Sequence, residues 1–93
     1  MAIKSFGCAD TRALFERRRC RRFANIESVA RRKLEQLHIA GRLDDLRVPP
    51  NNRLEALRGD RKGQHSIRIN DQYRVCFVWA GTDAEAVQIV DYH

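Results

Sequence analysis

The stretch Pro49-Pro50-Asn51-Asn52 limits the fold more than any other feature of the chain. Two successive prolines remove two backbone donors, fix φ twice and disfavour helix in the residue ahead of each, so no regular element runs through this point. On either side of it the apolar residues follow different periods. Before it, Ile26, Val29, Ala30, Leu34 and Leu37 recur at spacings of three and four. After it, Tyr73, Val75, Phe77 and Trp79 recur at a spacing of two. The first period belongs to a helix with one apolar face, the second to a strand with one apolar face. A helical half followed by a stranded half predicts an α+β fold, with N-terminal helices packed on one face of a small, mainly antiparallel sheet whose other face is partly free.

In the first half, residues 3–7 are a mixed segment that suits an opening strand, and Asp10 is placed to cap a helix running to about Arg17. Asn25 suits the N-cap of the strongest helix, which ends near Gly41, carries Glu27 in its first turn and turns Arg31, Arg32 and Glu35 outward. His38, near its C-terminal end, reads as a partner for the helix dipole. Between the helices, Arg17-Arg18-Arg19-Cys20-Arg21-Arg22 concentrates the charge. Such a run is either an RNA-contacting arm or a solvated linker.

In the second half, residues 53–57 read as a short strand. A basic turn follows, Arg58-Gly59-Asp60-Arg61-Lys62-Gly63, with glycine available for left-handed backbone. Residues 64–69 alternate, with Ile67 and Ile69 on one face, and Asn70-Asp71-Gln72 forms the next hairpin. Alternation along the Tyr73–Trp79 strand directs Arg74 and Cys76 away from the apolar face. After the Gly81-Thr82-Asp83 turn, residues 86–91 form a last strand that leads to Tyr92 and His93.

Ninety-three residues suit one domain, residues 1–93, and no apolar run approaches the roughly 20 residues a membrane-spanning helix needs. With no apolar N-terminal stretch of the signal-peptide kind, residence in the cytosol is expected. Cys8, Cys20 and Cys76 are odd in number and widely spaced, which disfavours a disulfide framework and a zinc site. The net charge is +6, and 15 of the 18 basic residues are arginine, whose planar fork grips phosphate through two hydrogen bonds. A polyanion, nucleic acid before acidic membrane, is the implied partner.

No glycine-rich phosphate loop, metal-ligand spacing or Ser/His/Asp order is present, so nucleotide, metal and acyl-transfer chemistry are disfavoured and no cofactor is expected. The remaining candidates are Arg53, Glu55, Arg58, Arg61, Lys62, His65, Arg68, Arg74, Asp91, Tyr92 and His93. A metal-free ribonuclease needs a base for the ribose 2′-hydroxyl, cations for the phosphate and an acid for the departing 5′-oxygen, and these residue types supply all three. Each also has an ordinary reading. A terminal Asp-Tyr-His is commonly a frayed end, Arg58 and the Arg61-Lys62 pair a solvated turn, His65 an exposed strand residue, and Glu55 one half of a structural ion pair. Tyr92 can simply pack on the sheet and Arg74 simply pair with Asp91.

The run from Asn52 to Phe77, with its Gly59-Asp60-Arg61 loop and Asn70-Asp71-Gln72-Tyr73-Arg74 hairpin, together with the ending Ile89-Val90-Asp91-Tyr92-His93, resembles the HigB toxins of the RelE superfamily. The opening Ile3-Lys4-Ser5-Phe6 and the two-helix first half also fit, so the resemblance covers nearly the whole chain. It implies a RelE-like fold and a bacterial, cytoplasmic type II toxin that cuts mRNA in the ribosomal A site without a metal, leaving a 2′,3′-cyclic phosphate and a 5′-hydroxyl. It further implies a HigA-like antitoxin with a helix-turn-helix domain, and repression of the operon through the toxin–antitoxin complex on operator DNA. Arg74, Asp91, Tyr92 and His93 match positions of the catalytic groove, and Arg58 matches a position usually held by a cation. Glu55 departs from the pattern, standing where some members have histidine. Glu55 as base with His93 as acid, and His93 as base with Tyr92 or water as acid, both stay open. The alternative to an enzyme is a non-catalytic basic module that binds RNA, the ribosome or the antitoxin.

Overall fold

A computed structural model describes residues 2–91; Met1, Tyr92 and His93, and with them two of the candidate site residues, lie outside the described residues. The elements follow the two periods. Helices α1 (Ala9–Phe15) and α2 (Glu27–Ile39) precede the proline break, and β1 (Glu55–Ala56), β2 (His65–Arg68), β3 (Tyr73–Ala80) and β4 (Asp83–Asp91) follow it. The strands form an antiparallel meander in the order β1-β2-β3-β4. Ala30, Leu34 and Leu37 of α2 and Leu14 of α1 share one core with Ile67, Val75, Phe77, Val87 and Ile89 of the sheet. Burying an aliphatic side chain of this kind is worth about 1.5–3 kcal/mol, so the helix face holds to the sheet by apolar area. The protein therefore has the expected α+β architecture, helices on one face of the sheet.

Helix boundaries differ from the sequence expectation, for local reasons. Asp10 lies inside the first turn of α1, and Cys8 is the N-cap without a side-chain hydrogen bond. The helix stops at Phe15 because Arg17 turns left-handed, φ 62°, and the Arg18 N–H closes on the Ala13 carbonyl at 2.8 Å. Glycine usually fills such a position, so the stop left no mark in the sequence. Asn25 is not a cap either. A 3-10 segment, Arg21–Ile26, directly precedes α2, so Asn25 lies inside it and Ile26 takes the N-cap position without a side-chain hydrogen bond. At the other end α2 stops at Ile39, before Gly41. The Asp45 carboxylate accepts the Gly41 and Arg42 N–H groups at 3.0 Å, and those bonds hold its pKa below the usual carboxylate range. His38 acts beyond the dipole. Its carbonyl and its Nδ1 accept the Ala2 and Ile3 N–H groups, and its ring meets Phe15 edge-on.

The opening segment reaches the sheet as two isolated parallel bridges to β4, Ile3 with Ala84 and Phe6 with Val87, rather than as a strand. What breaks it is a bulge in β4. The β3–β4 register shifts between Cys76 and Val78, Ala86 is left-handed at φ 51°, and the Ser5 hydroxyl accepts its N–H at 2.9 Å. Gly7 fits there because a Cβ would stand 3.0 Å from the Ala86 carbonyl oxygen. The hairpins are as expected: Asn70 Oδ1 accepts the Gln72 and Tyr73 N–H groups, and Gly59 and Gly63 are left-handed at φ 63° and 96°. The strand expected over 53–57 shrinks to Glu55–Ala56 because Arg53 is itself left-handed, φ 46°.

Candidate functional site

Direct strand partners share a sheet face, so the register sorts the candidates. Val75 lies opposite Ile67 and Ile89 on the core face; Arg74, one residue away, lies opposite Arg68 and Val90 on the outer face. Glu55 pairs with Ser66, and Ser66 with Cys76, which completes the outer row. Arg74, Arg68, Ser66 and Glu55 therefore converge on one face. Asp91 lies opposite Tyr73, whose ring packs against Phe23 of the core, and His65 lies opposite Phe77. Those two belong to the helix side of the sheet.

Arg74 does point away from the core, but it is not exposed. It is 8% accessible, and Ser66 and Cys76 beside it are fully covered, so the centre of the outer face is not free as expected. The cover comes from the chain just past the proline break. Arg74 Nε donates to Ser66 Oγ at 2.7 Å, Nη2 donates to the Arg53 carbonyl at 2.7 Å, and the same Nη2 meets Glu55 Oε1 at 3.1 Å. Three acceptors on two strands and a turn thus hold one guanidinium, which only an arginine fork satisfies. Burial pushes the Cys76 thiol up, with Arg61 and Arg74 near enough to oppose the shift.

Glu55 keeps half of its side chain in solvent at the lip of this arrangement. An open groove there, about 570 Å³, is lined by Glu55, Ala56, Leu57 and Arg58. Arg58 is exposed along it; in the following turn Lys62 is exposed, while Arg61 is half-buried and donates to Gln64 Oε1 at 3.2 Å. Arg68 is ion-paired with Asp71 across the hairpin. Arg53 contributes its carbonyl to the cluster and leaves its side chain exposed. Away from the cluster, Gln72 Nε2 donates to Asp91 Oδ2 at 3.1 Å, and His65 stacks on Phe77 with its buried Nδ1 lacking a hydrogen-bond partner among the described residues.

Ser66, Asn52 and Lys33 were not among the residues marked out by sequence. Ser66 becomes legible once the hairpin register is known, since it must face Arg74's side. Asn52 is fully buried inside the segment that reads only as a break. Lys33 sits between Ala30 and Leu37 at helical spacing, on the apolar face of α2, and is 8% accessible. Among the described residues no group of three or more His, Cys, Asp or Glu side chains converges as a metal site would, and no helix is long and apolar enough to cross a membrane.

An arginine buried against a carboxylate at the lip of a groove that Arg58 lines, on a four-stranded meander backed by two helices, can be compared with known proteins. Over its full length the fold matches the full YoeB/ParE toxin from Agrobacterium tumefaciens, with a TM-score of 0.58 at 17% identity. In sequence, Toxin HigB-1 of Vibrio cholerae serotype O1 is 52% identical over 56 residues, 60% of this chain and 59% of that protein. An uncharacterized protein of Haemophilus influenzae is 35% identical over 60 residues, 64% of this chain and 59% of the other. The chain thus spans about three fifths of the length of these curated relatives. A family model described as the RelE-like toxin of type II toxin-antitoxin system HigB matches residues 12–93, which takes in the second half of α1, all of α2, the whole sheet and every candidate residue. This chain belongs to that family, the HigB-like toxins of the RelE superfamily.

Proposed function

We propose that this single domain is a toxin that cleaves translated mRNA on the ribosome without a metal, in the bacterial cytoplasm. The observation that carries the reading is the Arg74–Glu55 pair: a fixed guanidinium with a half-exposed carboxylate beside it, at the lip of a groove edged by Arg58. Glu55 takes the proton of the ribose 2′-hydroxyl, whose oxygen then attacks the adjacent phosphorus. Arg74 and Arg58 neutralise the charge that builds on the phosphate oxygens. The bond to the 5′-oxygen breaks, and His93, with an ordinary pKa of about 6.5 for its residue type, delivers the proton that the leaving oxygen needs. Tyr92 and Asp91 serve the same ending, Asp91 from the helix side of β4. A 2′,3′-cyclic phosphate and a 5′-hydroxyl result.

Arg53, Arg61, Lys62 and Arg68 are proposed to bind RNA around this centre, and His65 to do so from the helix side of the sheet. A HigA-like helix-turn-helix antitoxin is the proposed partner, and the complex rather than the toxin alone engages operator DNA.

Primer extension on a message translated in the presence of the protein tests the reading. Codon-associated cuts are expected, with downstream fragments that a polynucleotide kinase labels without prior phosphatase treatment. Glu55→Gln keeps an acceptor for Arg74 while losing the base, and should slow cleavage about 10²-fold. Cleavage at the wild-type rate by both Glu55→Gln and His93→Ala would overturn the assignment and leave the binding module.

The arginine run supports a second measurement. Among the described residues Arg17, Arg19 and Arg21 are exposed and in no ion pair, whereas Arg18 pairs with Glu16 and Arg22 with Asp10. Cys20 is buried in their midst and Arg22 lies 4.9 Å over the Phe23 ring, so the run is pinned to the domain. Replacing Arg19 and Arg21 by glutamate should reduce the salt slope of ribosome binding by about 2, one for each phosphate that an arginine no longer neutralises. An unchanged slope would make the run a solvated linker.

A further inference from the structure

Beneath the turn that covers Arg74 lies a buried cation that the reaction does not use. Lys33 Nζ donates to Asn52 Oδ1 at 2.6 Å, and among the described residues no carboxylate stands within ion-pair distance of it. Burial pushes its pKa down, and the charges of Arg32 and Arg68 push the same way. A methionine at this place would cover the same apolar area without the desolvation cost, so packing alone does not account for an ammonium here. Asn52 is also fully engaged. Its Nδ2 donates to the Leu46 carbonyl and to Gln36 Oε1, each at 3.1 Å, and its backbone N–H closes on the Pro49 carbonyl at 3.0 Å.

The residue after this knot is Arg53, left-handed, with its N–H on the Pro50 carbonyl and its own carbonyl receiving Arg74 Nη2. Glu55 follows two residues later. Only Arg53 and Leu54 separate Asn52 from Glu55, so a rotation of Asn52 would move the Arg53 carbonyl directly and strain Glu55 against the hold of Leu54 on the core and of its own pairing with Ser66.

We propose that Lys33 and Asn52 are positioning residues, which from beneath the turn hold Arg53 left-handed and so set where its carbonyl and Glu55 meet Arg74. The proposal rests on the reading of Arg74 and Glu55 as reacting groups. Its test therefore has a readout independent of cleavage: the Arg74 Nε–H resonance, buried against Ser66 and assigned by its disappearance in Arg74→Lys. In Lys33→Met this resonance is expected to shift and to exchange with water at least about tenfold faster. The apparent kcat on ribosomes translating a defined message should fall about tenfold, with the half-saturating ribosome concentration within about twofold, as small misplacement of reacting groups predicts. Lys33→Arg keeps a donor for Asn52 and should recover most of both. A folded Lys33→Met with the Arg74 resonance and its exchange unchanged overturns the proposal. Should Lys33→Met fail to fold, Asn52→Asp decides instead: it keeps the oxygen facing Lys33 but loses the amide donors to Leu46 and Gln36, and an unmoved Arg74 resonance there overturns the proposal equally. A message left uncut by the wild-type protein would instead refute the cleavage reading, with the resonance comparison still deciding this one.

Discussion

Arg74→Ala should lower the rate of mRNA cleavage at saturating ribosomes by about 10² to 10³, the usual loss when a fixed stabiliser of transition-state charge is removed. The expectation comes from how the side chain is held. Ser66, the Arg53 carbonyl and Glu55 all take hydrogen bonds or ion pairing from one guanidinium, so its position is set before any substrate arrives. The same substitution leaves the fully buried Ser66 hydroxyl without that donor, at a cost of about 1–3 kcal/mol. Rates must therefore be corrected for the folded fraction, measured by thermal melting under assay conditions. Arg74→Lys retains the charge but cannot reach three acceptors on two strands and a turn, and should restore only part of the rate. A loss below about tenfold for Arg74→Ala, after that correction, would remove Arg74 from the chemistry and reduce it to a structural tie.

Phe77→Ala should destabilise the fold by about 3–5 kcal/mol, the range for deleting a large buried ring. Phe77 is fully buried at the centre of β3, stacks with His65 at 6.4 Å between ring centroids and meets Trp79 edge-on at the same distance. Its neighbours are held by sheet hydrogen bonds and by α2, so the space it leaves cannot close. A loss of this size in a domain of this length corresponds to a melting temperature lower by more than about 12 °C. Urea unfolding should show the same loss as a lower midpoint with little change in slope. Because Phe77 lies on the face opposite Arg74, the folded fraction at low temperature should cleave at close to the wild-type rate. A cost under about 1 kcal/mol would mean that the core repacks around the gap.

Much of this architecture was written in local sequence. The two apolar periods separated helices from strands, the Asn70 turn marked the hairpin, and Gly59 and Gly63 marked the loop between β1 and β2. The helix ends were less legible: an arginine, not a glycine, takes the left-handed position after α1, and neither Asp10 nor Asn25 caps the helix beside it. Propensity rules speak of typical residues at such positions, and here tertiary contacts hold an atypical one.

The feature that first constrained the fold, Pro49-Pro50-Asn51-Asn52, reads as a break, and together with the two periods it determined that helices come before strands and that Arg74 points away from the core. Alternation along a strand settles which face a side chain takes; it says nothing of what covers that face. Only the folded chain brought the stretch after the break across the sheet, where Asn52 is pinned by Lys33 and the Arg53 carbonyl and Glu55 close over Arg74. The bulge at Ala86 likewise decided which residue of β4 faces Arg74. One extra residue shifts every later pair, so Val90 lies opposite Arg74, Ile89 turns into the core, and Asp91 falls on the helix side. Period and propensity act between near neighbours and are readable from order alone. Cover and register depend on groups far apart in the chain, 21 residues for Arg53 and Arg74 and 81 for Ser5 and Ala86, meeting through bonds whose entropic cost is offset only when the whole domain has formed.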